Sequence, residues 1–230
     1  MPKWQTDAFK NGASRLSSTL LGVTSRKAAV VNFAKKHQLI YFQSVRPDSD
    51  QMPVIRGTSA AADQVDANYC IGSHAGYDMA FVERTASVAF DGYKTTLHHW
   101  YVLQIDLKSA RSLPFIFLGT NQQTKAYYAR ILTAYREVRY LQLNSASKMS
   151  ARFHATYALL ASPAELQLLY RLFTDDEIDF ITSYRRPFAI EIDGDSMMVI
   201  TEAKKPNEQL LEELLHYGLR IAKAIDSRLI

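Results

Sequence analysis

An α+β fold, organised around an antiparallel strand meander, is what the sequence predicts, on three observations. Lys94–Leu107 (KTTLHHWYVLQIDL) is a long run rich in β-branched and aromatic residues. Asp91-Gly92 and Asp193-Gly194 each interrupt apolar stretches, where a tight hairpin needs residues that accept positive φ. Residues 206–227 instead repeat leucine and isoleucine at three- and four-residue spacing, as one long helix does. The expected architecture is a mostly antiparallel meander and a C-terminal hairpin, packed by about four to five helices including the long C-terminal one.

In chain order, Ser25–His37 reads as a helix with Ala29, Val30, Phe33 and Ala34 on its apolar face. Lys35, Lys36 and His37 suit its last turn, where the helix dipole favours positive charge. Leu39–Gln43 reads as a strand. Arg46–Asp66, with Pro47, Pro53 and Gly57, reads as a long loop, and Arg56-Gly57-Thr58 in it lacks the Lys-Ser/Thr ending of a phosphate loop. Tyr69–Ile71, Met79–Phe90, Tyr93–Leu107 and Pro114–Leu118 form the meander. In its longest strand Leu97, His99, Tyr101, Leu103 and Ile105 share the side expected to face the core. His98, Trp100, Val102 and Gln104 share the other, mixed side, with Trp100 and Val102 placed to be covered by a helix.

Gly119–Val138 changes to helical period through Tyr128, Ile131, Leu132 and Tyr135. Tyr140–Leu143 reads as a short strand, and Arg152–Leu159 as a strand with Phe153, Ala155 and Tyr157 on one face. Ser162-Pro163-Ala164-Glu165 and Thr174-Asp175-Asp176-Glu177 each carry the signature of a capped helix start. Phe188–Ile192 and Met197–Thr201 pair across the second hairpin turn. Residues 1–23 form a basic arm, flexible or amphipathic, and 24–230 a single composite domain with a sub-lobe boundary expected near 144–150.

Composition narrows the function classes. With 47% hydrophobic and 22% charged residues in 230, the chain has the apolar content of a globular protein. Its one cysteine, Cys70, excludes an intrachain disulfide and reads as a small buried hydrophobe. No stretch approaches the roughly 20 apolar residues of a membrane span. These features point to a cytoplasmic protein. The net charge of +4 is uneven: residues 1–40 hold seven basic side chains against Asp7, a net of +6, which leaves the rest at −2. A nearly neutral body argues against a nucleic-acid groove. Lys3, Lys10 and Arg15 beside Trp4 and Phe9 instead suit a protein partner or an anionic membrane surface, reached peripherally from its inner face.

The order of elements resembles a family of uncharacterised bacterial proteins similar to the DUF3137 group. The likeness runs over roughly residues 26–226, through RKAAVVNFAKKHQLIYF, TTLHHWYVLQIDL, LPFIFL, FHATYALLASPAELQLLYRL, PFAIEIDGDSMMVITE and LLEELLHYGLRIAKAID. It implies an α+β accessory domain, often close to the membrane in relatives where transmembrane helices precede it; here a basic arm stands in that place. It implies no activity and no catalytic residues.

Titratable residues show no recognised spacing. His98 and His99 are adjacent on a strand, so their rings point to opposite faces and do not chelate one metal together. His74, beside Ser73 and two glycines, has no acid placed to orient it. His99, an imidazole on an apolar face, needs a partner. Arg185-Arg186 after Tyr184 is a small cationic patch. Asp175-Asp176-Glu177 reads as helix N-terminal charge, and Glu212-Glu213 as the solvent face of the last helix. No catalytic, cofactor-binding or metal residues are assigned; His74, His99, Arg185 and Arg186 are the positions to inspect. The reading favours a non-enzymatic interaction or accessory domain. The alternative is an enzyme or small-ligand domain whose site assembles only in three dimensions.

Overall fold

A computed structural model describes residues 27–44, 63–90, 94–109, 112–120, 125–144, 146–203 and 207–229. The basic arm, the Asp91-Gly92 turn and the Arg56-Gly57 segment lie outside these residues. The described chain is α+β: a nine-stranded antiparallel sheet with six α-helices among the described residues, one more than the upper expectation.

The sheet runs β1 (Ile40–Phe42), β2 (Asp63–His74), β3 (Tyr77–Phe90), β4 (Lys94–Asp106), β9 (Ser196–Glu202), β8 (Ala189–Gly194), β5 (Leu113–Thr120), β7 (Tyr157–Ala161) and β6 (Arg139–Leu141), in that spatial order. Of the expected meander, β2, β3 and β4 pair in order, but its expected last strand, Pro114–Leu118 in β5, does not pair with β4, because the β8–β9 hairpin lies between them; that hairpin is the expected one, with Asp193 opposite Ser196. That hairpin docks between β4 and β5, so residues before 109 and after 150 share one sheet.

Helices cover both faces. The helix at residues 27–36 (α1), α3 (Ser150–Thr156), α4 (Leu166–Leu172), α5 (Asp175–Ser183) and α6 (Glu208–Leu229) pack one face, around Phe81, Tyr101, Leu103, Ile105 and Val199. The other face buries Val82, Trp100, Val102, Phe117 and Met198 with α2 (Lys125–Ala134), which places Tyr128 and Ile131 inward. Alternation along β4 thus buries both sides of the strand, as the expected helical cover on the Trp100 side required.

Close approach depends on two glycines. On α6, a Cβ at Gly218 would stand 2.9 Å from Ile105 Cδ1 and 3.2 Å from Leu103 and Val199, so its absence seats the helix on β4 and β9. On β5, a Cβ at Gly119 would stand 2.5 Å from the Tyr128 hydroxyl, which instead donates to Thr120 O at 2.8 Å and fixes α2.

Three expectations need correction. Asp63–Asp66 belongs to β2 rather than to the loop, because Arg84 on β3 grips Asp66 with two hydrogen bonds of 2.8 and 2.9 Å. Residues 150–156 are helix α3 rather than strand. Phe153 and Tyr157 are four apart, a spacing that satisfies both a period of two and one helical turn, and their rings lie 5.4 Å apart. Only the continuous apolar run Tyr157–Ala161 enters the sheet. Finally, the core face of β4 stops at Tyr101: His99 is only partly buried and Leu97 is 57% exposed.

Replacing Gly218 by valine would drive branched carbons into Ile105, Leu103 and Val199. The expected cost is about 1–3 kcal/mol, the usual range for overpacking a dense core. A urea midpoint unchanged from the native protein would contradict the close seating of α6.

Candidate functional site

Among the described residues, a shallow, half-open cavity lies on the sheet where β2 and β4 end and β3 begins, close to the β8–β9 turn. It has a volume of about 290 Å³ and is lined by Ile71, Gly72, Ser73, Asp78, Met79, Ala80, Gln104 and Asp106. Register builds it. Ser73 lies opposite Asp78, Ala80 opposite both Ile71 and Gln104, and Asp106 opposite Ser196. The turn between β2 and β3 is only Ala75-Gly76, both with positive φ (52° and 81°), the two-residue hairpin geometry that matches strand twist.

The polar atoms here are mostly acceptors. Ser73 Oγ donates to Asp78 Oδ1, and Gln104 Nε2 donates to Asp106 Oδ1 at 3.2 Å. Gln104 Oε1 is buried without a hydrogen-bond partner, as is the hydroxyl of neighbouring Ser196. Partial burial pushes the Asp106 carboxyl above the usual range; the Gln104 amide opposes this, while Asp195 and Asp78 raise it further. Asp195 is held beside the end of β4 because its carbonyl accepts Leu107 N–H at 2.7 Å.

The positions singled out in the sequence do not converge. His74 points away from the cavity that its neighbour Ser73 lines, and meets His37 edge-on at 4.6 Å. His99 lies far along the sheet, opposite Thr85, whose hydroxyl is 3.3 Å from its Nδ1. Arg185 and Arg186 are exposed between α5 and β8. Of the histidine pair, His98 is the more enclosed. It is 9% exposed, stacks on Trp100 at 5.5 Å and binds Glu202 through Nδ1 at 2.8 Å, leaving a buried Nε2 without a hydrogen bond. Among the described residues, no group of three or more His, Cys, Asp or Glu side chains could hold a metal ion.

Two charged clusters are structural. Asp175, Asp176 and Glu177 stand in the first turn of α5 as expected of helix N-terminal charge, but Glu177 is 1% exposed while Asp175 and Asp176 are exposed. Arg228 donates to Glu177 Oε2, and Thr174 Oγ1 donates to the same oxygen at 2.5 Å. Arg220 Nη1 stands 3.1 Å from Oε1 but off the hydrogen-bonding line, so that contact is charge attraction. Glu212 is likewise not a free solvent-face residue, since it pairs with Lys36 and His37. Cys70, fully buried, has its thiol pushed up to about 12 by desolvation, which fits a packing role.

No family model matches the chain, and no curated protein matches it. Among the described residues no helix is long and apolar enough to cross a membrane.

Cys70 should resist iodoacetamide at pH 8 in the folded protein and alkylate only in denaturant; rapid native labelling would contradict its burial. Arg228→Met should cost up to about 3 kcal/mol, because removing one partner strands a buried carboxylate. Arg220→Met should cost less, since Arg220 is 43% exposed against 25% for Arg228. Denaturant midpoints in the reverse order would refute the assignment.

Proposed function

We propose that the chain is a non-enzymatic interaction domain that receives a basic side chain of a protein partner in the acidic cavity where β2 and β4 end and β3 begins. The observation that carries this reading is the chemistry of the lining. Asp78, Asp106 and nearby Asp195 present carboxylates, and the enclosed Gln104 Oε1 is a further acceptor. A lysine ammonium or arginine guanidinium supplies donors only, and so complements them. A cavity of about 290 Å³ lies at the small end of ligand sites, suited to a side-chain head group rather than a large cofactor. Carboxylates on a polar rim steer a basic partner and select against acidic ones.

The resemblance to the DUF3137 group supports an accessory role, and the basic arm with Trp4 and Phe9 supports a second, peripheral contact with an anionic membrane on the cytoplasmic side. The same lining favours one alternative, a free small amine as the ligand.

Calorimetry with a pentalysine peptide and with n-butylamine separates these readings. Tighter binding of the peptide supports a protein partner, and equal affinities favour the small amine. Asp106→Asn and Asp78→Asn should each weaken binding severalfold. Binding should also fade as acid protonates Asp106, whose raised pKa brings that loss in above the usual carboxylate range. Affinity untouched by both substitutions would overturn the cavity as the site. For the arm, removal of residues 1–23 should abolish sedimentation with phosphatidylglycerol vesicles; unchanged sedimentation would discard the membrane contact.

A further inference from the structure

Three elements meet on the helical face behind the cavity: the last turn of α1, the end of β2 and the first half of α6. His37, 9% exposed, contacts Glu212 Oε1 through Nε2 at 2.8 Å, and Lys36 Nζ reaches the same oxygen at 3.0 Å. A carboxylate oxygen only accepts, so Nε2 of His37 carries the hydrogen. The His37 ring rests against Phe33 at 4.8 Å on one side and meets the His74 ring at 4.6 Å and 84° on another. Lys223, from α6, completes the set of charges around His74.

The charges facing this junction are therefore Lys36 at the end of α1 and His37 in the turn after it, His74 from β2, and Glu212 and Lys223 from α6. One carboxylate, Glu212, binds Lys36 and His37 and attracts a charge on His74, while Lys223 repels it. We propose that this junction is an acid-sensitive latch, closed at neutral pH by the His37–Glu212 hydrogen bond and opened when a proton on His74 adds a cation that the single carboxylate does not balance.

Two directions of titration support the geometry. Burial, then His37 and Lys223, lower the affinity of His74 for its proton, with Glu212 opposing. Burial alone would raise the Glu212 carboxyl, but the hydrogen bonds from His37 and Lys36 bring it below the usual value. For His74 the unfolded or released ring binds the proton more readily than the packed one. Stability of the junction is therefore complete above the ordinary histidine pKa of about 6.5 and declines as pH falls below it. Glu212 works in the same direction at lower pH, since its stabilising ionised form is lost as acid protonates it.

Opening would release α1, whose Val30, Phe33 and Ala34 are buried in the helical-face core and whose Phe33 ring lies 5.8 Å from Phe81. Hydrogen exchange, corrected for intrinsic rates, reads this directly. Amides in residues 30–39 should exchange severalfold faster at pH 5.5 than at pH 7.5, while α5 changes little. His74→Gln, which cannot acquire the proton, should remove that difference. Glu212→Gln should speed exchange of α1 already at pH 7.5. Equal pH dependence in His74→Gln and the native protein, or full α1 protection in Glu212→Gln, would overturn the latch. Should His74→Gln fail to fold, an NMR titration of the native His74 ring is decisive: a midpoint at or above the ordinary histidine value would overturn the proposal. None of these outcomes depends on whether the cavity binds amines.

Discussion

The close contact of α6 with β4 and β9 is the constraint on which the helical layer depends. Gly218 removes the side chain that would otherwise hold the helix off the sheet, and Leu214, Leu215, Ile221 and Ala222 around it are all buried. Burial of such side chains is worth roughly 1.5–3 kcal/mol each relative to exposure, so a long helix seated at this distance is a large part of the core. A displacement of α6 would open these contacts together, because dense packing leaves no slack to absorb it.

The polar side chains of α6 then tie neighbouring elements to that fixed axis. Glu208 accepts from Asn32 at 3.0 Å and Glu212 binds Lys36 and His37, which fastens α1. Buried Asp226 accepts from the Tyr77 hydroxyl at 2.8 Å and from Lys108 N–H at 3.0 Å, and so joins the start of β3 to the segment after β4. Arg228 holds Glu177 of α5 and donates to Leu172 O of α4. Each tie is modest beside the apolar burial, but each names a particular neighbour. The apolar stripe decides that α6 packs; the polar ties decide what packs beside it.

The elements were legible where one signal dominated. Alternation along β4, the Asp193-Gly194 turn and the heptad-like stripe of α6 each reported one period or one turn geometry, and each is found in the fold. β2 was half hidden because Asp63, Asp66 and Asn68 are poor strand formers taken alone. Their compensation comes from β3, where Arg84 grips Asp66 and Glu83 accepts from Asn68 at 2.6 Å. The strand reading of Arg152–Thr156 failed at a spacing that fits two periodicities. The candidate site was less legible still. Asp78, the Gln104–Asp106 pair of β4 and Asp195 come from three places far apart in the chain, and only pairing register brings them to one wall. The one available signal was Gln104, a polar residue that follows Trp100 and Val102 on the mixed side of β4 that also carries His98. Glu177 and Arg228, 51 residues apart, offered no such hint.

The two rims of the sheet bear on how copies of this protein behave in a crowded solution. Its edge strands, β1 and β6, are three residues each, against 12 to 14 for β2, β3 and β4 inside. Long open edges template pairing with another chain, whereas short ones offer too few backbone groups for a stable join. At β6 the Arg139 guanidinium also folds back onto the carbonyls of Arg136 and Val138, at 2.6 and 2.7 Å, which keeps a charge at that rim. Ile40 and Tyr140 are exposed on these strands, so apolar surface is present at both rims. On the β1 side the cover is partial, since β1 pairs with only Tyr69–Ile71 of the twelve-residue β2.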